Sequence, residues 1–314
     1  MRKLKVLLVL FLFIGVTAMF AANNVQLVSS TGDETILKFN ISTYQFKKVM
    51  TPRGEAIELI VPKTGRILEQ GAPDLPRMAA SVIIPDRAKM KVEVIDSKFF
   101  EIDNVLIAPS KGNLLRNIDI AKVPYTFGAK YDTNAFYPAN LADTRAPYIA
   151  RDFRGQAIIV HPFAYNPVTR TLRVYNKVVV KVSDTGETGK NIFVRNRPLK
   201  SLNSEFRKVY ARHFLNFDSI ISRYTPLGDA IGNMLIVSYS GFMSNMADFV
   251  NWKESIGYSV DLVDYTTIGS AAALKTYVAN YYNTNGLTFL LLVGDHAQVP
   301  VSSTTAGDSD NNYG

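Results

Sequence analysis

Near Tyr224 the hydrophobic pattern of this 314-residue sequence changes period, and the change sets what each side of it can fold into. Upstream, apolar residues alternate with polar ones. Lys89-Met90-Lys91-Val92-Glu93-Val94 is a clear case, and Leu172, Val174, Val178, Val180 and Val182 keep even spacing in a run rich in β-branched residues. Shorter runs at 36–41, 57–61, 82–84 and 157–160 add strands, punctuated by Gly71-Ala72-Pro73-Asp74-Leu75-Pro76. Tyr165-Asn166-Pro167-Val168-Thr169 separates 157–160 from 171–182 and reads as a hairpin turn. Residues 22–190 are therefore expected to form an all-β domain, either a sandwich or a curled sheet.

Downstream the pattern is strand, helix, strand, helix, strand. Residues 234–239, 258–264 and 288–293 read as strands; Met246, Phe249, Val250, Lys253 and Ile256 sketch one helix face, and 271–282 supplies another helix. The run at 288–293 is unbroken and apolar between Gly286 and Gly294, the length of a strand buried on both faces. Such an order implies a parallel sheet with right-handed crossovers. Three strands are few for that topology, so further chain is expected to complete it. Between the two patterns, Phe206, Val209, Tyr210, Phe214 and Phe217 recur at spacings of three and four among Arg207, Lys208, Arg212 and His213. This spacing predicts a basic amphipathic helix packed on a neighbour. The fold class expected is a two-domain α+β chain. An all-β domain at 22–190 and a linker helix with its junction at 191–223 precede the first part of a parallel-sheet α/β domain at 224–314.

The amino terminus carries Arg2, Lys3 and Lys5, an apolar run at 6–16, and small residues at Val16-Thr17-Ala18 and Ala21-Ala22 where cleavage fits. Residues 1–21 read as a secretory signal peptide, too short in its apolar part for a typical membrane span. No later segment is apolar enough to cross a bilayer as a helix, so no span is expected after its removal. The chain has no cysteine. An exported protein of this kind must hold its core by burial alone, and it supplies neither a thiol nucleophile nor a thiolate ligand. Charge is uneven: 224–314 set Lys253 and Lys275 against eight carboxylates, while 22–223 carry an excess of eleven cations. The two parts should attract each other. The cations are scattered and no helix-turn-helix or zinc pattern accompanies them, so no nucleic-acid partner is expected.

Few residues could carry chemistry. Gly294-Asp295-His296 follows the last apolar run, at the strand end where α/β sheets place ligands. In an extended strand the two side chains would point to opposite faces, and only a turn after Val293 could bring both to one site. Asp295 reads either as a turn cap or, with Asp308 and Asp310, as a ligand of a structural Ca²⁺ ion. The Asp308-Ser309-Asp310-Asn311-Asn312 stretch reads equally well as a solvated turn. His161 and His213 fall at structural positions. No Gly-x-Ser-x-Gly elbow, Gly-x-Gly-x-x-Gly turn or P-loop is present, so serine-elbow chemistry and nucleotide binding have no support.

Several separate motifs resemble gingipain-type cysteine peptidases, peptidase family C25, and nearest among them the arginine-specific gingipains. Leu290-Leu291-Leu292-Val293-Gly294-Asp295-His296, Val299-Pro300, the stretch from Gly307-Asp308-Ser309-Asp310 to Tyr313-Gly314, and Asp248-Phe249-Val250-Asn251-Trp252-Lys253 are similar to the start of the catalytic domain. Gly71 to Pro76, Ala108-Pro109-Ser110-Lys111-Gly112-Asn113-Leu114-Leu115-Arg116-Asn117, and the Tyr165 to Tyr175 segment are similar to the prodomain. The resemblance implies a secreted zymogen, associated with the bacterial outer membrane in some relatives. In it a β-rich prodomain binds and silences its own caspase-like peptidase domain. It also implies protein or peptide substrates, a junction cut between Arg223 and Tyr224, and Arg116 as the basic residue offered to the specificity pocket. No cofactor is required for the chemistry. The family's catalytic His and Cys lie downstream of the motifs matched here, and Asp295 and His296 do not match that dyad. A non-hydrolytic binding or sortase-like relative that keeps the fold is the alternative.

Overall fold

A computed structural model of the chain describes residues 24–195, 199, 201–222, 228–304 and 307–313. The signal-peptide reading at 1–21 and the Arg223–Tyr224 junction lie outside them. The β domain is a sandwich. Its strands run in the order β1 (Val25–Ser30), β2 (Glu34–Asn40), β3 (Gln45–Thr51), β4 (Gly54–Ile60), the short β5 (Gly65–Arg66), β6 (Pro76–Ile83) and β7 (Ala88–Ile102). They continue with β8 (Ala142–Thr144), β9 (Tyr148–Ala150), β10 (Phe153–Val160), β11 (Phe163–Asn166) and β12 (Thr171–Thr188). One sheet has the order β1-β2-β12-β11, with β7 also paired to β12; the other has β5-β6-β10-β8, with β9 also on β10; β3 and β4 form a separate hairpin.

The period-two pattern decides which side chains face inward. Leu37 and Phe39 of β2 and Val178, Val180 and Val182 of β12 meet Met78, Ala80 and Val82 of β6 and Ile158 and Val160 of β10 in one cluster. With no disulfide available, this burial holds the sandwich shut. The hairpin turn is where it was expected, but it joins β12 to β11, with Asn166 opposite Thr171. Residues 157–160 belong to the other sheet, because the chain changes sheets at His161-Pro162. Both long strands outrun their alternating segments: residues 95–101 of β7 are exposed on both faces, where the neighbouring sheet no longer covers them.

The expected linker helix is two. α1 (Ser204–His213) is capped by Asn203, whose side chain accepts from the Glu205 and Phe206 amides, and α2 spans Phe217–Ile221. Between them Phe214 is extended, and the buried Asn216 side chain accepts from the Ile83 amide at 2.7 Å and donates to the Ile83 carbonyl at 2.9 Å. That side chain takes the place of a strand partner on β6 and stops the helix. Tyr210, Phe214 and Phe217 pack with Phe153 and Ile83, while Val209 faces outward, off the predicted apolar face.

Strand β13 (Ser201–Asn203) pairs in parallel with β14 (Gly228–Ala230). There follow β15 (Asn233–Ser238), α3 (Ala247–Ser255), β16 (Ser259–Asp264), α4 (Ala271–Asn285) and β17 (Phe289–Val293), then the hairpin of β18 (Ser302–Thr304) and β19 (Gly307–Ser309). The order β16-β15-β17 is parallel throughout. The chain crosses from β15 to β16 through α3 and then back past β15 to β17 through α4, so the two right-handed crossovers run in opposite directions across the sheet and their helices fall on opposite faces. α4, capped by Ser270 and ended by Gly286 at φ 75°, buries Leu274, Val278 and Tyr281 against Leu235 and Val237. α3 buries nothing. Residues of β17 are half-buried rather than enclosed, because this strand forms one edge of the described sheet. An all-β domain followed by the opening of a parallel α/β sheet is thus the architecture observed.

Candidate functional site

Arg116 stands at the tip of a loop whose two ends are fastened. On the way in, the Ser110 amide donates to the Ala72 carbonyl at 2.8 Å, the Gly71 amide to the Ser110 carbonyl at 2.9 Å, and the Asp74 amide to the Ala108 carbonyl at 3.0 Å. The Gly71-to-Pro76 motif therefore serves as a seat for the loop rather than as plain punctuation. On the way out, the Gly128 amide donates to the Gly71 carbonyl at 2.9 Å. Gly71 has φ 78°, and a Cβ there would come within 3.1 Å of the Gly128 nitrogen, so only glycine suits the crossing.

Side chains brace the same base. The Lys111 Nζ donates to the Ile120 carbonyl at 2.8 Å and lies 4.3 Å from the Tyr125 ring centre. The Tyr125 hydroxyl donates to Glu58 at 2.6 Å. Partial burial opposes ionisation of Glu58, but hydrogen bonds from Tyr125 and Lys47 and the charges of Lys47 and Arg66 outweigh it and hold the carboxyl below its usual range. Burial and the Glu58 carboxylate together push the Tyr125 phenol well above its ordinary value.

Beyond these anchors the chain turns sharply. The Ile118 amide donates to the Leu115 carbonyl at 3.0 Å, which puts Arg116 at the second position of a tight turn. Asp119 caps the next turn through the Ala121 amide at 3.0 Å. Arg116 is exposed and forms no hydrogen bond or ion pair among the described residues. Leu115 is 73% exposed and Ile120 63% exposed, with Ile118 between them also open to solvent. The loop is held at its base and presents an exposed guanidinium beside apolar side chains that are also open to solvent.

At the carboxyl end of β17 the chain makes a compact turn. The Asp295 amide donates to Gln298 Oε1 at 2.8 Å, the His296 amide donates to Asp295 Oδ1 at 2.6 Å, and the Asp295 carbonyl accepts from the Gln298 and Val299 amides at 2.8 and 2.9 Å. Asp295 thus caps its own turn. Asp295 and Asp310 are both exposed; Asp308 lies opposite Ser303 in the β18–β19 pair, and its side chain is outside the described part. Among the described residues no three His, Asp or Glu side chains cluster closely enough to hold a metal ion. His161 sits beside Asp143 at 3.5 Å, and burial lowers its pKa against the pull of that carboxylate. His213 accepts from or donates to the Tyr148 hydroxyl at 2.6 Å. Sequence reasoning missed Arg151 and Arg154, whose partners are distant in the chain and leave no local signal.

Comparison with known proteins identifies both parts of this architecture. The C25 propeptide family model matches residues 17–214, and that of peptidase family C25 matches 228–314. The chain belongs to peptidase family C25. It comprises the propeptide and the start of the peptidase domain, and the β sandwich with α1 is the propeptide. Over 298 residues it is 39% identical to gingipain R1 of Porphyromonas gingivalis and 36% identical to gingipain R2 of the same organism. Those alignments cover 93% and 92% of this chain but only 30% and 40% of the relatives. A solved complex of the Porphyromonas gingivalis RgpB pro- and mature domains matches with a TM-score of 0.58 and 37% identity, covering 62% of this chain and 97% of that one. The matched relatives lend no support to the non-hydrolytic alternative. No described helix is long and apolar enough to cross a membrane.

Proposed function

We propose that the chain is the amino-terminal part of a secreted, self-silenced endopeptidase precursor. Residues 1–21 direct export, and the mature enzyme works outside the cell or at the bacterial outer membrane. The propeptide binds its own peptidase domain, and cutting between Arg223 and Tyr224 separates the two. Once the family's downstream histidine and cysteine are in place, the enzyme cleaves protein or peptide substrates after basic residues.

One observation carries this reading: Arg116, exposed at the tip of a braced loop, forms no hydrogen bond or ion pair among the described residues. An arginine fork placed in a substrate-side-chain pocket pairs with a carboxylate there through charge-assisted hydrogen bonds. A rigid loop that occupies the pocket without presenting a cleavable bond in register acts as a competitive plug. Leu115, Ile118 and Ile120 would bury apolar surface against the pocket mouth and add to the hold.

Neither the plug nor the hydrolysis needs a metal. One Asp295 carboxylate oxygen accepts from the His296 amide, and among the described residues no three His, Asp or Glu side chains cluster as a metal site, where Ca²⁺ takes roughly six to eight oxygens. A Ca²⁺ ion at Asp295, Asp308 and Asp310 would be structural, completed by ligands from elsewhere in the domain. Thermal unfolding of the full enzyme with and without chelator tests for it: an unchanged midpoint removes the ion from the proposal.

Titrating the propeptide against mature enzyme tests the main reading. Arg116→Ala is expected to weaken inhibition more than tenfold, about 1.4 kcal/mol or more. An unchanged inhibition constant would strip Arg116 of this role. Amino-terminal sequencing of the active form is expected to begin at Tyr224.

A further inference from the structure

Strands β9 and β10 are joined by a two-residue turn, Arg151-Asp152, with Ala150 opposite Phe153. Arg151 has φ 50°, in the left-handed region that such hairpin turns require and that Asn, Asp and Gly fill with least strain. An arginine here is explained by its side chain, which reaches out of the propeptide. Nη1 donates to the Thr288 carbonyl at 2.9 Å and Nη2 to the Leu287 carbonyl at 3.0 Å. The guanidinium lies 4.5 Å from the Phe206 ring centre, and its Nε is 3.6 Å from Asp152, which also accepts from the Tyr210 hydroxyl at 2.7 Å. Phe206 in turn stacks on Phe289, the first residue of β17, with centroids 5.7 Å apart. Beside it Asn203 donates to the Ile231 carbonyl, and β13 pairs with β14.

The contacts that cross to the peptidase side, on Leu287, Thr288, Phe289, Ile231 and β14, fall at the amino-terminal end of β15 or β17. The Gly294-Asp295-His296 turn is at the other end of β17, five residues away, or about 17 Å at about 3.3 Å per residue. Parallel sheets hold their ligands at that carboxyl rim. Arg151, β13 and α1 precede the junction, whereas β14, Ile231 and Leu287 to Phe289 follow it. Cutting the junction therefore leaves each contact in place between what are then two chains.

We propose that Arg151 and Phe206 form a retention clamp: an interaction surface on the propeptide that grips the amino-terminal rim of its own peptidase sheet after the junction is cut. The inference rests on the zymogen reading above and adds a second point of attachment to it. Two-point attachment matters kinetically. A propeptide whose Arg116 loop lifts out of the pocket stays tethered at high effective concentration and returns before it diffuses away. The ligand chemistry is a pair of consecutive backbone carbonyls on a folded strand start, which an arginine fork spans and a lysine does not.

The test uses the complete precursor, silenced by alanine at its nucleophile and cut at the junction by a trace of active enzyme. Propeptide release is followed by size exclusion after dilution. Arg151→Asn, which suits the turn and removes the guanidinium, is expected to release at least tenfold faster with no loss of propeptide thermal stability. Phe206→Leu is expected to act in the same direction. Release of both variants at the wild-type rate, or immediate release of the wild type on cutting, overturns the clamp. Release rates report the clamp and inhibition constants report the zymogen. If Arg116→Ala weakens inhibition while Arg151→Asn releases normally, the clamp alone fails. If Arg151→Asn speeds release of a propeptide that never inhibited, the zymogen reading fails and the clamp stands.

Discussion

Arg154 and Arg116 are the same amino acid in opposite settings. Arg154 is fully buried, and its guanidinium donates to four backbone carbonyls, those of Pro85, Ala88, Lys190 and Asn191, at 2.7–2.9 Å. It fastens the segment leaving β12 onto the turn between β6 and β7. Arg154→Lys offers fewer donors and strands buried carbonyls, so it should destabilise the propeptide by about 3 kcal/mol, read from urea unfolding. A loss within 0.5 kcal/mol would mean water takes over those carbonyls. Nothing in the sequence around Arg154 separates it from a surface cation, since its partners lie as far as 69 residues away. Arg116 was legible only because the motif around it resembles a known family. Glu58 gives a second prediction at this scale. A carboxyl whose folded pKa lies below its ordinary 4.5 adds stability above that value and loses it as pH falls through the folded pKa. Tyr125→Phe removes a lowering hydrogen bond, so the folded value rises and the acid limb of the propeptide's stability curve should move to higher pH. Thermal melts over the range of about pH 3 to 6 check it, and superimposable acid limbs would detach Glu58 from loop bracing.

The same limit operates on whole elements. Alternation gave most of the strands because it reflects burial of one face, and it failed where burial stops, as along residues 95–101 of β7. The turn after Asn166 was found from its residues, yet the strand feeding it was misassigned, since the sheet to which 157–160 belong is fixed by a chain crossing at His161-Pro162. Aromatic spacing suggested one helix across 206–217, and Asn216 ends it. Helix periodicity cannot register a side chain that hydrogen-bonds both the amide and the carbonyl of Ile83, 133 residues away. Asn216→Ala should leave both Ile83 groups unpaired in a buried place and cost about 2 kcal/mol. Chemical denaturation of the propeptide measures the cost, and amide exchange at Ile83 shows whether it arises there. Full protection of that amide in the variant would place the origin of the break elsewhere.

Across the whole molecule two kinds of attraction are available to propeptide and peptidase, and salt should separate them. The propeptide side carries an excess of eleven cations and the first part of the peptidase an excess of six carboxylates. Most of these charges are exposed, and such fields steer encounter while being screened over about 8 Å at physiological ionic strength. The contacts that hold the docked state are of another sort: Arg151 on two carbonyls, Phe206 on Phe289, and a short parallel pairing of backbone. Neutral acceptors and stacked rings respond weakly to salt. Raising ionic strength from about 0.05 to 0.5 M should therefore slow association of cut propeptide with silenced enzyme by about tenfold or more, and change dissociation by less than about threefold. Both rates can be read on an immobilised enzyme surface. Equal association rates at the two salts would show that the charge asymmetry plays no part in docking. Dissociation that quickens with salt as steeply as association slows would mean that ion pairs, rather than the rim contacts around Arg151, hold the propeptide.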